Sequence, residues 1–256
     1  MFLRISGTQS SIQPEAVFQP FGWPISGTCL LSWLIIGLLI ILILATRHLK
    51  LRPNRQQTLL EMIYGLIFGL IAQLTGSDQK AKRVFPLFGS LFVFILISNY
   101  IAYIPGISSL SWNGQALFRT PTNDFNTTFG LALLSLFYIQ WSSIRQFGLF
   151  SHIGKYIKLA GIWRGFRQSL SAGLMGIMEF AIGLMDIVSE CARAISLSLR
   201  LFGNVFAGEV LTIIIMGAFA WLLPSTWMAM GLLSGLVQAV VFTSLVSVYY
   251  TLAVSE

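Results

Sequence analysis

Apolar residues fall in runs that are too long for soluble elements and too continuous for alternating strands. Residues 84–118 and 210–255 contain no Asp, Glu, Lys or Arg, the second run extending over 46 residues. A crossing helix needs about 20 apolar residues, and the pattern predicts spans over residues 28–45, 84–104 and 125–144. Residues 59–74 are apolar but short, carry Glu61 and are fenced by Arg55 and Lys80. That stretch reads as an interfacial or partly inserted helix. Residues 173–223 then run for 51 positions without proline. As one helix they would measure about 76 Å, against a hydrocarbon core of roughly 30 Å. The segment must therefore tilt strongly, bend, or break near Gly203 or Gly208. Pro224-Ser225-Thr226 turns the chain, and residues 227–254 form the last helix. The expectation is an all-α integral membrane protein with five transmembrane helices, one interfacial helix and a long tilted C-terminal helical hairpin. A membrane barrel would need alternating strands of about ten residues, which these runs do not offer.

Composition strengthens this picture. Charged residues make up only 10% of the 256, against roughly 25% in an average globular chain. The net charge of +7 is uneven, with +10 over residues 1–167 and −3 over residues 168–256. A basic total could suggest nucleic acid, but these cations sit in short loops beside apolar spans. The loops at 46–57, 76–83 and 145–167 collect 12 of the 16 Lys and Arg residues. By the positive-inside rule those loops are cytoplasmic, which puts the N-terminus outside and the C-terminus inside. A cleaved signal peptide is disfavoured, because the basic residues follow the first span instead of preceding it. Cys29 and Cys191 lie in apolar surroundings and read as small hydrophobes, not as a disulfide pair. His48 and His152 are too far apart to suggest a metal site. Without linker, repeat or low-complexity tract, residues 1–256 read as one membrane domain: an extracytoplasmic segment 1–27, peripheral spans and basic loops 28–167, and the hairpin 168–256.

Candidate chemistry lies almost entirely in the long segment. Ionisable groups within the membrane are costly and mark function by default, and this segment carries Glu179, Asp186, Glu190, Arg193, Arg200 and Glu209, with Asn204 beside them. Glu179, Asp186, Arg193 and Arg200 are each seven apart, a step that returns to within about 20° of the same helix face. Glu190 and Arg193 have the spacing of a plain intrahelical salt bridge, and Glu179 and Asp186 could be simply hydrated at the cytoplasmic edge. Arg200 has no acid three or four residues away. A guanidinium there must face a wet cavity or a partner's carboxylate. Glu209, nine residues on, lies about half a turn round and about 13 Å further along, so the two cannot pair on a continuous helix. Two separated polar environments result. Gln238 on the last helix is the natural partner for Glu209 across the hairpin, while Asn99 and Tyr249 read as structural.

The string Ile195-Ser-Leu-Ser-Leu-Arg200-Leu-Phe-Gly-Asn204-Val-Phe-Ala-Gly-Glu209 closely resembles the signature of subunit a of bacterial F-type ATP synthases. Pro121-Thr-Asn-Asp-Phe-Asn-Thr-Thr128, Ile97-Ser-Asn-Tyr100 and Val237-Gln238-Ala239 resemble the same family in the same order. The resemblance implies a multi-pass subunit of the bacterial inner membrane, with a c-ring, b-type peripheral stalk subunits and lipid as partners. It implies no cofactor, metal, nucleotide or nucleic acid on this chain, and catalysis on other subunits. Arg200 matches the arginine that faces the ring carboxylate. Glu209, Asn204 and Gln238 match positions of the outer half-channel or the ring interface. Glu190, Asp186 and Glu179 fall in the acidic region leading to the cytoplasmic half-channel. Protons would enter one half-channel, neutralise a ring carboxylate, ride through lipid and leave by the other. Arg200 would favour the ionised ring carboxylate and, being permanently protonated, would block a direct leak.

Two departures from the family pattern stand out. Ala194 replaces a common proline, and Gly231 stands where some bacterial members carry a histidine near the outer acid, so Glu209 needs another partner or a water. The sequence Ala207-Gly208-Glu209 differs from the Ala-Gly-His of mitochondrial relatives. A secondary transporter would show two repeated halves, and the confinement of nearly all the intramembrane charge to the last 90 residues argues against it. A non-catalytic scaffold, with charges that only bind neighbours, is the other alternative.

Overall fold

The computed structural model describes residues 16–18, 25–45, 55–104, 111–112, 115–116, 118–149, 154, 170–218 and 222–255. Among them six α-helices carry the fold: α1 Gly27–Ala45, α2 Arg55–Thr75, α3 Asp78–Ile101, α4 Phe125–Phe147, α5 Leu170–Ala218 and α6 Leu222–Ser255. A short antiparallel pair, Ala16–Phe18 with Ile25–Ser26, precedes α1, and a second, Ser111–Trp112 with Gln115–Ala116, lies between α3 and α4. Neither pair was expected from the pattern. A 3-10 turn, Pro121–Asn123, leads into α4. His48 and His152, and much of the basic loops around them, lie outside the described residues.

The helices follow the apolar runs but extend past them. α3 starts at Asp78 instead of residue 84, so Lys80, Lys82 and Arg83 belong to its first turns. Asp78 complements the positive end of the helix dipole there, and a helix can project charged turns beyond the hydrocarbon. α6 starts at Leu222, not at residue 227. Pro224 sits in its first turn, where a missing N–H would have had no intrahelical partner anyway. α5 removes the break from the alternatives for the long segment, running as one helix for 49 residues through Gly203 and Gly208. Each glycine costs about 1 kcal/mol of helix propensity. A break in lipid would leave several carbonyls and amides unsatisfied at several kcal/mol each, so continuity wins.

Four helices are long and apolar enough to cross a membrane: Gln57–Thr75, Asp78–Ile101, Phe125–Phe147 and Thr226–Val254, with a shorter apolar stretch at Gly27–Ile41. The first falls on α2, which the sequence assigned to the interface; its length and composition also suffice for a span.

Hydrogen bonds and ring contacts align the ends. Thr28 at the start of α1 donates from Oγ1 to Asp124 Oδ2 ahead of α4 (3.0 Å). At the opposite end, Thr251 of α6 donates to the Leu74 carbonyl of α2 (3.4 Å), and Gln146 of α4 donates to the Val254 carbonyl (3.0 Å). The core lies between α2, α3, α4, α6 and the second half of α5, with Ile67 and Ile71 as the contribution of α2. Phe88 sits at its centre, edge-on to Tyr138 (5.9 Å) and Tyr250 (6.0 Å). α4 faces this core with Thr128, Ala132, Ser135 and Ser143, small residues that let helices approach closely where burial in lipid supplies no drive. The first half of α5 is different: Met175, Met178 and Met185 are exposed, and so is most of α1 beyond Ile35. Cys29 and Cys191 are free and on exposed faces.

Ala132 is fully buried on that small-residue face. Enlarging it to leucine (Ala132→Leu) should overpack the seam and cost about 1–3 kcal/mol, read as a lower thermal midpoint of the detergent-solubilised protein. An unchanged midpoint would mean the seam is looser than described.

Candidate functional site

Two hydrogen-bonded carboxylates stand on α5, one toward each end of the bundle. Near its C-terminal end, Glu209 Oε2 accepts from Asn123 Nδ2 of the 3-10 turn. Nineteen residues earlier, about 28 Å along the axis, Glu190 Oε2 accepts from Gln140 Nε2 of α4.

The first site is built by a chain of local rules. Pro121 fits the start of a short helical turn, and Asp124 caps α4 by accepting from the Asn126 amide (3.0 Å). The same carboxylate takes the Thr28 hydroxyl from α1. Asn123 is thereby pinned between two anchored residues, with its side chain fully buried against α5. Three buried polar atoms in this neighbourhood, Asn123 Oδ1, Thr122 Oγ1 and Arg119 Nη2, have no described partner. Arg119 is within electrostatic range of Glu209. One residue before the acid, the Gly208 carbonyl accepts from Thr212 Oγ1 (2.7 Å) and Trp227 Nε1 (3.2 Å), which ties the start of α6 to α5.

Gln238 was expected to partner Glu209, and this is corrected. The described partner of Glu209 is Asn123, while Gln238 lies buried a few turns along α6 with its Nε2 unpartnered. Glu209 is already met by a segment outside the hairpin, and α6 presents Gly231 and Ser234 nearer that level. Asn204 is drawn into the hairpin, its Oδ1 accepting from Ser234 Oγ (3.0 Å). Asn99 donates to the Gly235 carbonyl (3.1 Å), the structural role expected of it.

Toward the other end, Glu190 takes the Gln140 amide, and the Arg193 guanidinium lies over the Tyr249 ring at 5.0 Å. Asp186 is partly buried and Glu179 exposed on the same helix. Arg200 sits between the two carboxylates, on the exposed side, with no hydrogen bond or ion pair to any described residue. At the same level of the helix, Ala194, Leu197, Ser198 and Leu201 are buried in the core. The Ser198 hydroxyl turns back to the Ile195 carbonyl (3.0 Å). Three of these four are apolar, so the packed face of α5 at this level is mainly hydrocarbon, while Arg200 is exposed.

Sequence reasoning missed the residues that complete each site. Asn123, Gln140, Thr28 and Ser234 are uncharged and lie far from α5 in the chain. One signal was present: Pro121 followed by Asp124 ahead of an apolar run is a helix-start signature.

The model for the ATP synthase A chain family matches residues 29–251. The chain belongs to this family. It is similar to ATP synthase subunit a of Moorella thermoacetica, 32% identical over 93% of this chain and 95% of that one. It is also similar to subunit a of Geotalea daltonii, 35% identical over 85% of this chain and 83% of the relative. A third relative, from Propionigenium modestum, is named ATP synthase subunit a, sodium ion specific, and is 34% identical over 90% of this chain and 74% of its own length. These are bacterial proteins. Subunit a is a multi-pass membrane component of the ATP synthase complex and not its catalytic part.

Because Thr28 donates to a charged acceptor, the Thr28–Asp124 link should be worth about 1.5–3 kcal/mol. A double-mutant cycle of Thr28→Val and Asp124→Asn, followed by thermal unfolding, should show a coupling of that sign. Strict additivity of the two changes would mean the turn is held by other contacts.

Proposed function

We propose that this subunit a is the stator ion channel of the ATP synthase membrane sector. Two offset half-channels deliver protons to, and remove them from, carboxylates on a rotating c-ring. The observation that carries this reading is the arrangement on α5. Two carboxylates, each hydrogen-bonded to a side-chain amide, lie about 28 Å apart along one helix, the residues of α5 buried between them are mostly apolar, and Arg200 stands exposed with no partner among the described residues.

Glu209, with Asn204 and Gln238, serves the outer path or the ring interface; Glu190, Asp186 and Glu179 serve the cytoplasmic path. Arg200 faces the ring carboxylate and favours its ionised form by opposite charge. Its guanidinium cannot give up a proton at working pH, so it separates the two paths instead of linking them. The exposed apolar face around Met178, Met185 and Leu199 suits a ring that slides past it. The peripheral helices 28–167 then remain for lipid and the b-type stalk, and the hairpin 168–256 for the ring.

The ends of the helices support the expected orientation. Thr28 and Asp124 share one end, which becomes the outside, and α1 must then finish at the cytoplasmic end, where α2 meets α6. With α1 arriving and α3 departing at that end, α2 begins and finishes on one side unless the basic loop 46–54 recrosses. Arg47, Lys50 and Arg52 make recrossing costly. An interfacial α2, with exposed Leu59, Met62 and Ile63 in the acyl boundary, fits that count.

The test uses the assembled complex in vesicles with an imposed pH gradient, assembly being verified in the same preparation. With Arg200→Ala, ATP synthesis should fall to background, a loss of at least about tenfold, or 1.4 kcal/mol, while passive proton conduction persists or rises. Synthesis at the unmodified rate would overturn the gate assignment in favour of a scaffold. Vesicles holding the unmodified complex, driven by a sodium gradient at equal pH on both sides, should make no ATP; synthesis there would replace the proton by sodium.

A further inference from the structure

Tyr103, just beyond the end of α3, reaches into the crossing of α5 and α6. A Cβ placed on Gly231 would lie 2.3 Å from the Tyr103 hydroxyl oxygen and 2.4 Å from its Cζ, and a Cβ on Gly208 would lie 3.6 Å from that oxygen. The phenol thus rests on bare backbone of both hairpin helices, in a notch that exists because residue 231 has no side chain. The notch belongs to a register. One turn back on α3 and one turn on along α6, a Cβ on Gly235 would lie 3.1 Å from Asn99 Cβ, and Asn99 holds the Gly235 carbonyl. Two residues of α3's outer end therefore seat in two glycines of α6, which fixes where the phenol stands.

Its position is chemically pointed. Gly208 precedes Glu209, and the Gly208 carbonyl is already taken by Thr212 and Trp227. The Tyr103 ring is half-buried, and its hydroxyl makes no hydrogen bond to any described residue. A partly buried phenol O–H needs a partner. Asn123 Oδ1, Thr122 Oγ1 and Arg119 Nη2 are unpartnered in the same outer neighbourhood of Glu209.

We propose that the Tyr103 hydroxyl, seated in the Gly231 notch, is a positioning group of the outer ion path that orders the hydrogen-bonded approach to Glu209. This rests on the reading of Glu209 as part of that path. The hydroxyl donates to and accepts from the solvent of the path without net change in its own protonation.

The discriminating variant is Tyr103→Phe, which keeps the wedge and removes only the hydroxyl. In the assembled complex in vesicles, ATP synthesis at fixed total driving force should fall several-fold, and the defect should deepen as outer pH rises. Supply through the outer path limits the rate most when outer protons are scarce. A purely structural wedge predicts unmodified rates at every outer pH, and that result overturns the proposal, as does a defect that ignores outer pH. If Tyr103→Phe does not assemble, Gly231→Ala displaces the intact phenol and should give the same pH-dependent slowing, with unmodified rates again overturning the inference. Glu209→Gln in the same vesicles separates the two levels. Unimpaired synthesis with that variant removes the outer-path reading itself, whereas an impaired Glu209→Gln beside a normal Tyr103→Phe removes only the role of Tyr103.

Discussion

A bilayer gives backbone no solvent, so a helix that carries charges through it must stay whole even where its sequence invites a break. α5 obeys this constraint over 49 residues, about 73 Å of rise against roughly 30 Å of hydrocarbon. Such a rod cannot stand upright within the core. It packs with α4 and α6 over its second half, where Leu197 and Leu201 are buried, and it leaves Met175, Met178 and Met185 uncovered in its first half. Its continuity keeps the two hydrogen-bonded acids, Glu190 and Glu209, about 28 Å apart along a single axis.

The partners chosen for the two carboxylates matter as much as their spacing. Asn123 and Gln140 are neutral amides whose N–H groups donate to the acids. A neutral donor can serve a carboxyl group in either protonation state through its unprotonated oxygen. A direct lysine or arginine pair would instead hold the acid ionised and make removal of one partner costly. For acids proposed to sit on an ion path, an amide is the partner that leaves exchange possible. The amides also come from separate elements, one from a 3-10 turn clamped by Asp124 and Thr28, the other from the middle of α4. Each site therefore depends on a different part of the peripheral helices, and neither can be assembled by the hairpin alone.

The sequence conveyed the helices well because hydrocarbon imposes a single rule on all of them, and the apolar runs record it directly. It conveyed the opposed faces of Arg200 and Glu209 for the same reason, since helical phase is arithmetic once α5 is continuous. It failed where partners come from distant segments. Gln238 looked like the polar mate of Glu209 because it lies on the adjacent helix, but helix adjacency does not fix height along the hairpin. The true mate, Asn123, is an uncharged residue in a turn whose approach to α5 depends on Asp124 and Thr28 together. Helix ends were also misjudged at Asp78 and Leu222, because hydrophobicity marks the limits of lipid and not the limits of hydrogen bonding.

The contrast among the charges near Arg200 bears on whether they serve conduction or only assembly. Glu190, Arg193 and Glu209 each find a partner within the chain: an amide, an aromatic ring and a second amide. Arg200 alone of these four has none among the described residues, although Asn204 sits one turn away and is bonded elsewhere, to Ser234. A residue that only stabilised the fold would gain by using that neighbour. The chain instead satisfies Asn204 within the hairpin and leaves the guanidinium exposed, beside a mostly apolar packed face. A permanent charge within an apolar helix calls for a counter-group or water, and among the described residues the chain supplies no such group. A group that is exposed, cannot deprotonate and stands between two acids is placed to act on whatever passes that face.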